Sequence, residues 1–150
     1  MANMIFTEKP QDFNSRFDGV FCFVEHEGEI LLLHRNDGKS EGNKWGMPGG
    51  KINAGENSAE AVVREIREET GLRLTIPQVT YFRAVYVRYP DYDFVFHMFH
   101  ATVDQKQDAV LNPSEHKNFR WISPEEALGL ELVGDLGECI KLRYPAGPTP

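Results

Sequence analysis

The stretch that most constrains this chain is "GKINAGENSAEAVVREIREETGL", Gly50 to Leu72, because a helix is written into it and three of its carboxylates share one face. Asn57 with Glu60 has the form of a capping box, so the spacing predicts a helix over Ser58–Thr70. Gly71 is the residue type that most readily takes the left-handed conformation ending a helix, and Leu72 can pack back on the last turn. At about 100° per residue, Glu65, Glu68 and Glu69 fall within a face about 100° wide. Ala59, Val62, Val63 and Ile66 form a separate apolar stripe that must face a sheet. The carboxylates therefore border the buried side, with Glu68 furthest from the stripe and most open to water. Like charges one turn apart destabilise a solvated helix by tenths of a kcal/mol, and more where screening falls. A hard divalent cation such as Mg²⁺ or Mn²⁺ reverses the sign of that effect. Taken alone, the run also reads as a surface helix neutralised by Arg64 and Arg67.

The residues upstream decide between these readings. From Gly50 the chain follows G-x5-E-x7-R-E-U-x-E-E-x-G-U, with U apolar: Glu56, then Arg64-Glu65-Ile66-Arg67-Glu68-Glu69-Thr70-Gly71-Leu72. This run resembles the Nudix box at every position. The resemblance extends more loosely to the preceding hairpin and to "KWGMPGGK", and no equally specific signature lies past about residue 80. It implies an α/β fold, an α/β/α sandwich around a mixed sheet, and hydrolysis of a nucleoside diphosphate linked to a further group X. It implies that Glu65, Glu68 and Glu69 hold Mg²⁺ or Mn²⁺, with a backbone carbonyl of Gly49 or Gly50 adding a ligand. It implies that Arg64 pairs with Glu56 to position the helix. It also points to Glu115, with His116 beside it, in the loop before "RWIS", where many family members carry an acidic metal ligand or base. The physics agrees with that chemistry. A pyrophosphate link repels hydroxide, cations neutralise its oxygens and acidify bound water, and a neighbouring glutamate can take the proton. Glycine at 49 and 50 permits close backbone approach.

Around the box the pattern predicts a hairpin, Gly19–Glu25 and Glu29–Arg35, turning at Glu27-Gly28. "NDGKSEGNKWGMPGG" reads as a functional loop. Strands are expected at Leu72–Ile76, Thr80–Arg88, Asp93–Val103 and Phe119–Ile122, then a helix capped by Ser123 and a last helix over Val133–Arg143. The length suits one domain. Arg35 and Lys51 are candidate phosphate contacts, and Trp45 is a candidate base platform or a core residue. Phe21, Tyr86 and Phe99 could line a base pocket. His97 and His100 differ in parity, which puts them on opposite faces of a strand and disfavours a shared metal site.

A net charge of −7 argues against a generic grip on a nucleic-acid polymer. No apolar run is long enough to span a membrane, the N-terminus lacks the form of a signal peptide, and the Pro/Gly-rich tail from Tyr144 is expected to fray. Cys22 and Cys139 lack C-x-x-C spacing and read as reduced thiols of a cytoplasmic protein. The leading expectation is a metal-dependent hydrolase acting on a small nucleotide, with a (d)NTP as substrate and a nucleoside monophosphate and pyrophosphate as products. ADP-ribose, a nucleotide sugar or a dinucleoside polyphosphate is the runner-up, and Tyr89-Pro90 beyond the box is ambiguous between two of these types. A nucleotide-sensing module without turnover is the reading from another class, and the intact carboxylate set argues against it. Both a monomer and a homodimer are compatible with the sequence.

Overall fold

Two neighbouring segments carry apolar side chains on both of their faces. In residues 15–26, Val20, Cys22 and Val24 join one buried cluster and Phe21 and Phe23 another; in residues 29–35, Leu31 and Leu33 separate from Ile30 and Leu32 in the same way. A sheet built on such strands must be covered on both sides. The computed structural model, which describes residues 4–146, has that arrangement. In chain order its elements are β1 (Met4–Phe6), β2 (Ser15–His26), β3 (Glu29–Arg35), β4 (Trp45–Gly46), β5 (Gly49–Lys51), α1 (Ser58–Thr70), a 3₁₀ turn (Ile76–Gln78), β6 (Thr80–Arg88), β7 (Asp93–Thr102), β8 (His116–Ile122), α2 (Pro124–Ala127) and α3 (Leu136–Arg143). The sheet is mixed: β2 runs parallel to β7, and every other pairing is antiparallel. Helix α1 packs Ala61, Val62 and Ile66 on the side of Val20 and Leu31. Helices α2 and α3 pack Ala127, Leu136, Cys139 and Ile140 on the side of Phe21 and Ile30.

Strand β2 is shared between two partners. Its last residues, Glu25 and His26, pair with β3, whereas Gly19–Phe21 pair with β5. This brings the short strand that precedes α1 into the sheet. Gly49 must be glycine there, since a Cβ would sit 2.1 Å from the Val20 carbonyl oxygen. Helix α1 is capped as expected: Asn57 accepts the Glu60 N–H at 2.8 Å, and Glu60 accepts the Asn57 N–H at 3.0 Å. Gly71 closes it at φ 77°.

Several expectations change. Leu72–Ile76 is not a strand. The Leu72 N–H is taken by the Thr70 hydroxyl at 3.1 Å, Pro77 stands inside the 3₁₀ turn, and Gln78 caps the Thr75 N–H at 2.7 Å. Leu72 and Leu74 still pack beneath α1, so the apolar alternation serves the core without a ladder. The long Gly-rich loop yields two short strands, β4 and β5, because Trp45–Gly46 finds β3 and Gly49–Lys51 finds β2. Helix α3 starts after Gly134 rather than at Val133. His97 lies between Asp18 and Tyr81 and His100 lies against Glu25, on opposite faces as parity requires. Both cysteines are buried and free. Of the tail expected to fray, Tyr144 to Pro150, residues 147–150 lie outside the described part. Tyr144, at the start of that tail, is held by a hydrogen bond from its hydroxyl to Glu25 and by edge contact with Phe23.

Candidate active site

The acidic face of α1 divides into two groups. Arg64 gathers the first. Its Nε and Nη2 donate to the Glu56 carboxylate at 2.5 and 3.0 Å, and its Nη1 donates to Glu65 at 2.8 Å and Glu68 at 3.2 Å. Nη2 also donates to the Lys51 carbonyl at 3.1 Å, which ties the helix to β5. The paired guanidinium and the Asn53 N–H hold Glu56 below the usual carboxylate range. Burial raises Glu65 in spite of Arg64. The Glu65 carboxylate approaches β5 so closely that a Cβ at Gly50 would lie 2.6 Å from it, so the second glycine of the pair is a seat for this side chain.

Glu69 forms the second group. It is buried, and its Oε1 accepts the Gly49 N–H at 2.7 Å. Its Oε2 lies 3.9 Å from Nδ1 of His116, itself buried. Burial pushes the Glu69 carboxyl up to about 8, with the Gly49 N–H opposing and the Glu65 and Glu115 charges adding to the rise. Burial, with Arg35 nearby, lowers His116, so its imidazole is neutral near pH 7. Side-chain exposure is 53% for Glu68, 15% for Glu65 and 10% for Glu69, the order that the helical face predicts.

Glu69 and His116 close one end of a cleft of about 260 Å³ that also contains Gly49, Gly50 and Arg35. The other end is mostly apolar, walled by Met47, Tyr89, Phe94, Phe96, Leu136 and Cys139, with Ser40 and Glu41 also in the lining. Asp135 stands at that end; burial raises its carboxyl, and its Oδ2 has no hydrogen-bond partner. Of the three substrate contacts expected from sequence, Arg35 alone lines the cleft. Lys51 lies 4.6 Å over the Phe17 ring, and Trp45 stacks on His34 at 4.3 Å. Phe21 lines the cleft, but Phe99 belongs to the α1 side of the sheet and Tyr86 pairs with Phe13. Strand parity separates them.

A family profile described as "NUDIX domain" matches residues 15–141. The chain belongs to the Nudix hydrolase family. This Nudix chain is 33% identical over 116 residues to the CTP pyrophosphohydrolase of Escherichia coli (strain K12), covering 76% of this chain and 81% of that protein. It is 43% identical over 76 residues to the ADP-ribose pyrophosphatase of Methanocaldococcus jannaschii, covering 51% of this chain and 40% of the relative. The MutT NUDIX hydrolase from Burkholderia pseudomallei superposes with a TM-score of 0.64 at 28% identity, covering 73% and 84% of the two chains. The α/β/α architecture is that of Nudix structures.

The donor set of this Nudix domain fits a hard divalent cation. It consists of carboxylates on one helix face, a glycine seat that a Cβ would fill, and a buried carboxylate whose ionisation is resisted until a positive charge arrives. Sequence reading singled out the glutamates and Arg35 but passed over His116 as a site residue. The signal available for it was its place beside Glu115. Tyr89 was visible only through its place beyond the box, and Met47, Phe96 and Asp135 carried no such signal.

Proposed function

We propose that this Nudix domain hydrolyses a nucleoside triphosphate to a nucleoside monophosphate and pyrophosphate. The observation that carries this reading is the continuity of the cleft: one end presents Gly49, Glu69, His116 and Arg35, and the other an aromatic wall. Sites that enclose whole drug-sized ligands run from about 300 to 1,000 Å³. At about 260 Å³ this cleft suits one nucleoside, with the polyphosphate reaching out over the carboxylates of α1. That favours a triphosphate over a substrate with two nucleosides.

Glu65, Glu69 and a carbonyl of Gly49 or Gly50 would hold a divalent cation, Mg²⁺ or Mn²⁺, with Glu68 or Glu115 sharing it. Such an ion supplies charge neutralisation at the phosphates and acidification of water. The protein's own groups do the rest. Glu68, the most exposed of the three, accepts the proton of the attacking water, and Glu115 is the next group able to do so. Water oxygen bonds to the α- or the β-phosphorus, the P–O bond that bridges them breaks, and the leaving group, pyrophosphate in the first case and the nucleoside monophosphate in the second, carries away the electron pair. Arg35 meets phosphate oxygens, and Lys51 reaches them only by leaving Phe17. The Glu56–Arg64 pair fixes the helix under this chemistry. Phe94, Phe96 and Tyr89 hold the base and exclude water.

A product-resolved screen over triphosphates, ADP-ribose, nucleotide sugars and dinucleoside polyphosphates, with Mg²⁺ and Mn²⁺ in parallel, tests the reading. Monophosphate and pyrophosphate formed fastest from a triphosphate is the expected outcome. Faster cleavage of ADP-ribose would replace the proposed substrate class, and binding without turnover of any of these substrates would replace the enzyme reading.

A further inference from the structure

Glu69, Glu115 and His116 offer ligand atoms that all lie within 4.8 Å of one another. Atoms facing each other across an octahedral ion with bonds of about 2.1 Å are about 4.2 Å apart, so the group needs only a small adjustment to close on a cation. Independent of that cluster, His116 is 4% exposed and its Nδ1 has no hydrogen-bond partner. The nearest carboxylate oxygen, Glu69 Oε2, is 3.9 Å away, beyond hydrogen-bond range. A buried nitrogen left unpaired is costly, and this one lines the cleft beside two carboxylates. The backbone that presents the pair is fixed: Asn112 accepts the N–H of both Glu115 and His116 at 3.0 Å, and the Glu115 carbonyl accepts the Asn36 N–H at 3.0 Å. His116 opens β8 opposite Arg35.

We propose that His116 joins Glu69 and Glu115 in a mixed nitrogen–oxygen cation site, which shares Glu69 with the all-oxygen group at Glu65 and takes Mn²⁺ in preference to Mg²⁺. Mg²⁺ favours oxygen ligands and sheds water reluctantly, whereas imidazole suits the first-row transition ions. The inference rests on the cation reading of this end of the cleft and not on the identity of the substrate. Two cations of different preference then meet the polyphosphate from β8 and from α1.

The test uses the whole protein and the metal alone. Electron spin echo modulation of the Mn²⁺-loaded protein reports a directly bound imidazole nitrogen, and calorimetry gives the affinities for Mn²⁺ and Mg²⁺. The expected result is nitrogen modulation in the wild type, its loss in His116→Asn, and a fall of at least about tenfold in Mn²⁺ affinity, the scale on which loss of even an outer partner of a ligand is felt. Mg²⁺ affinity should fall less. Glu115→Gln, at a partly exposed position, should weaken Mn²⁺ binding while keeping the nitrogen signal, so the answer does not depend on His116→Asn folding. A wild-type spectrum without nitrogen modulation overturns the proposal, as does the same modulation in His116→Asn. Nitrogen modulation in a protein that leaves triphosphates intact supports the site and contradicts only the substrate reading.

Discussion

The two ends of the cleft differ in how they are built. The carboxylate end comes mostly from one stretch: Gly49, Gly50, Glu56, Arg64, Glu65, Glu68 and Glu69 reach each other through one strand, one turn and one helix. The aromatic end, proposed to hold the nucleoside, is assembled from β2, the β4–β5 connection, β7 and α3, which contribute Phe21, Met47, Phe94, Phe96, Leu136 and Cys139. One end is charged and dense in hydrogen bonds. The other is mostly apolar, with Glu41 and Asp135 among its lining and Asp135 Oδ2 without a hydrogen-bond partner. Charge geometry is set by helix periodicity, and the aromatic wall by long-range sheet packing. Under the proposed reading the first governs turnover and the second governs which nucleoside stays bound.

The largest expected effects lie at the carboxylate end. Glu68→Gln and Glu69→Gln should each lower kcat by about 10²–10⁴, the range for removing a positioned acid–base group or its equivalent. The melting temperature of Glu68→Gln should hold or rise, because like-charge repulsion is relieved; that of Glu69→Gln should hold near neutral pH, where burial already keeps the carboxyl protonated. Metal affinity should fall least for Glu68→Gln if that residue is mainly the base, and a titration of Glu65→Gln, Glu68→Gln and Glu69→Gln checks the division. If Glu68→Gln loses metal as badly as Glu69→Gln, the base is elsewhere and Glu115→Gln is the next variant. Next in size, Arg64→Ala should cut kcat about 10–100-fold, as for loss of a residue that orients ligands. It should also lower the melting temperature, since Glu56 and Glu65 lose their shared partner. Unchanged melting in both Arg64→Ala and Glu56→Gln would break the view of this pair as a brace.

At the nucleoside end the expected effect is smaller and of another kind. Phe96→Ala should raise KM about tenfold with kcat nearly kept, given about 1–3 kcal/mol for one base–aromatic contact. The smallest effect is a dependence on pH. Glu69 ionises near 8 in the folded, cation-free protein and near 4.5 in the unfolded chain. The folded state thus keeps a proton that the unfolded state has released, and this group's contribution to stability is present below about 4.5 and lost as pH rises through about 8. A cation must displace that proton, so the rise in melting temperature on adding Mg²⁺ should grow from pH 5.5 to pH 8.5. Glu69→Gln should flatten the trend in thermal-shift titrations.

Legibility in the sequence follows the same division. The cap at Asn57, the terminator at Gly71 and the exposure order of the glutamates depend on spacing within one segment, and periodicity reveals them; the Glu56–Arg64 pair was expected from the resemblance to the Nudix box. Gly50 could be seen as permissive, but its role as a seat for Glu65 depends on β5 pairing with β2. Trp45 could be a base platform or a core residue by sequence, and β4 turns it onto His34 and against the core. Leu72–Ile76 looked like a strand because apolar alternation records burial, not pairing. Phe21, Tyr86 and Phe99 are equally aromatic in sequence, and only the register of β2, β6 and β7 tells which one faces the cleft. His116 was visible as a neighbour of Glu115, but its approach to Glu69 needs β8 to be laid beside β3.

The most direct test of the division between the two ends is a steady-state comparison of Glu69→Gln with Phe96→Ala on one triphosphate at saturating Mg²⁺, reading kcat and KM separately. The account predicts that Glu69→Gln collapses kcat and that Phe96→Ala moves KM. Equal loss of kcat in both variants, or full turnover by the wild type in excess chelator, would contradict it.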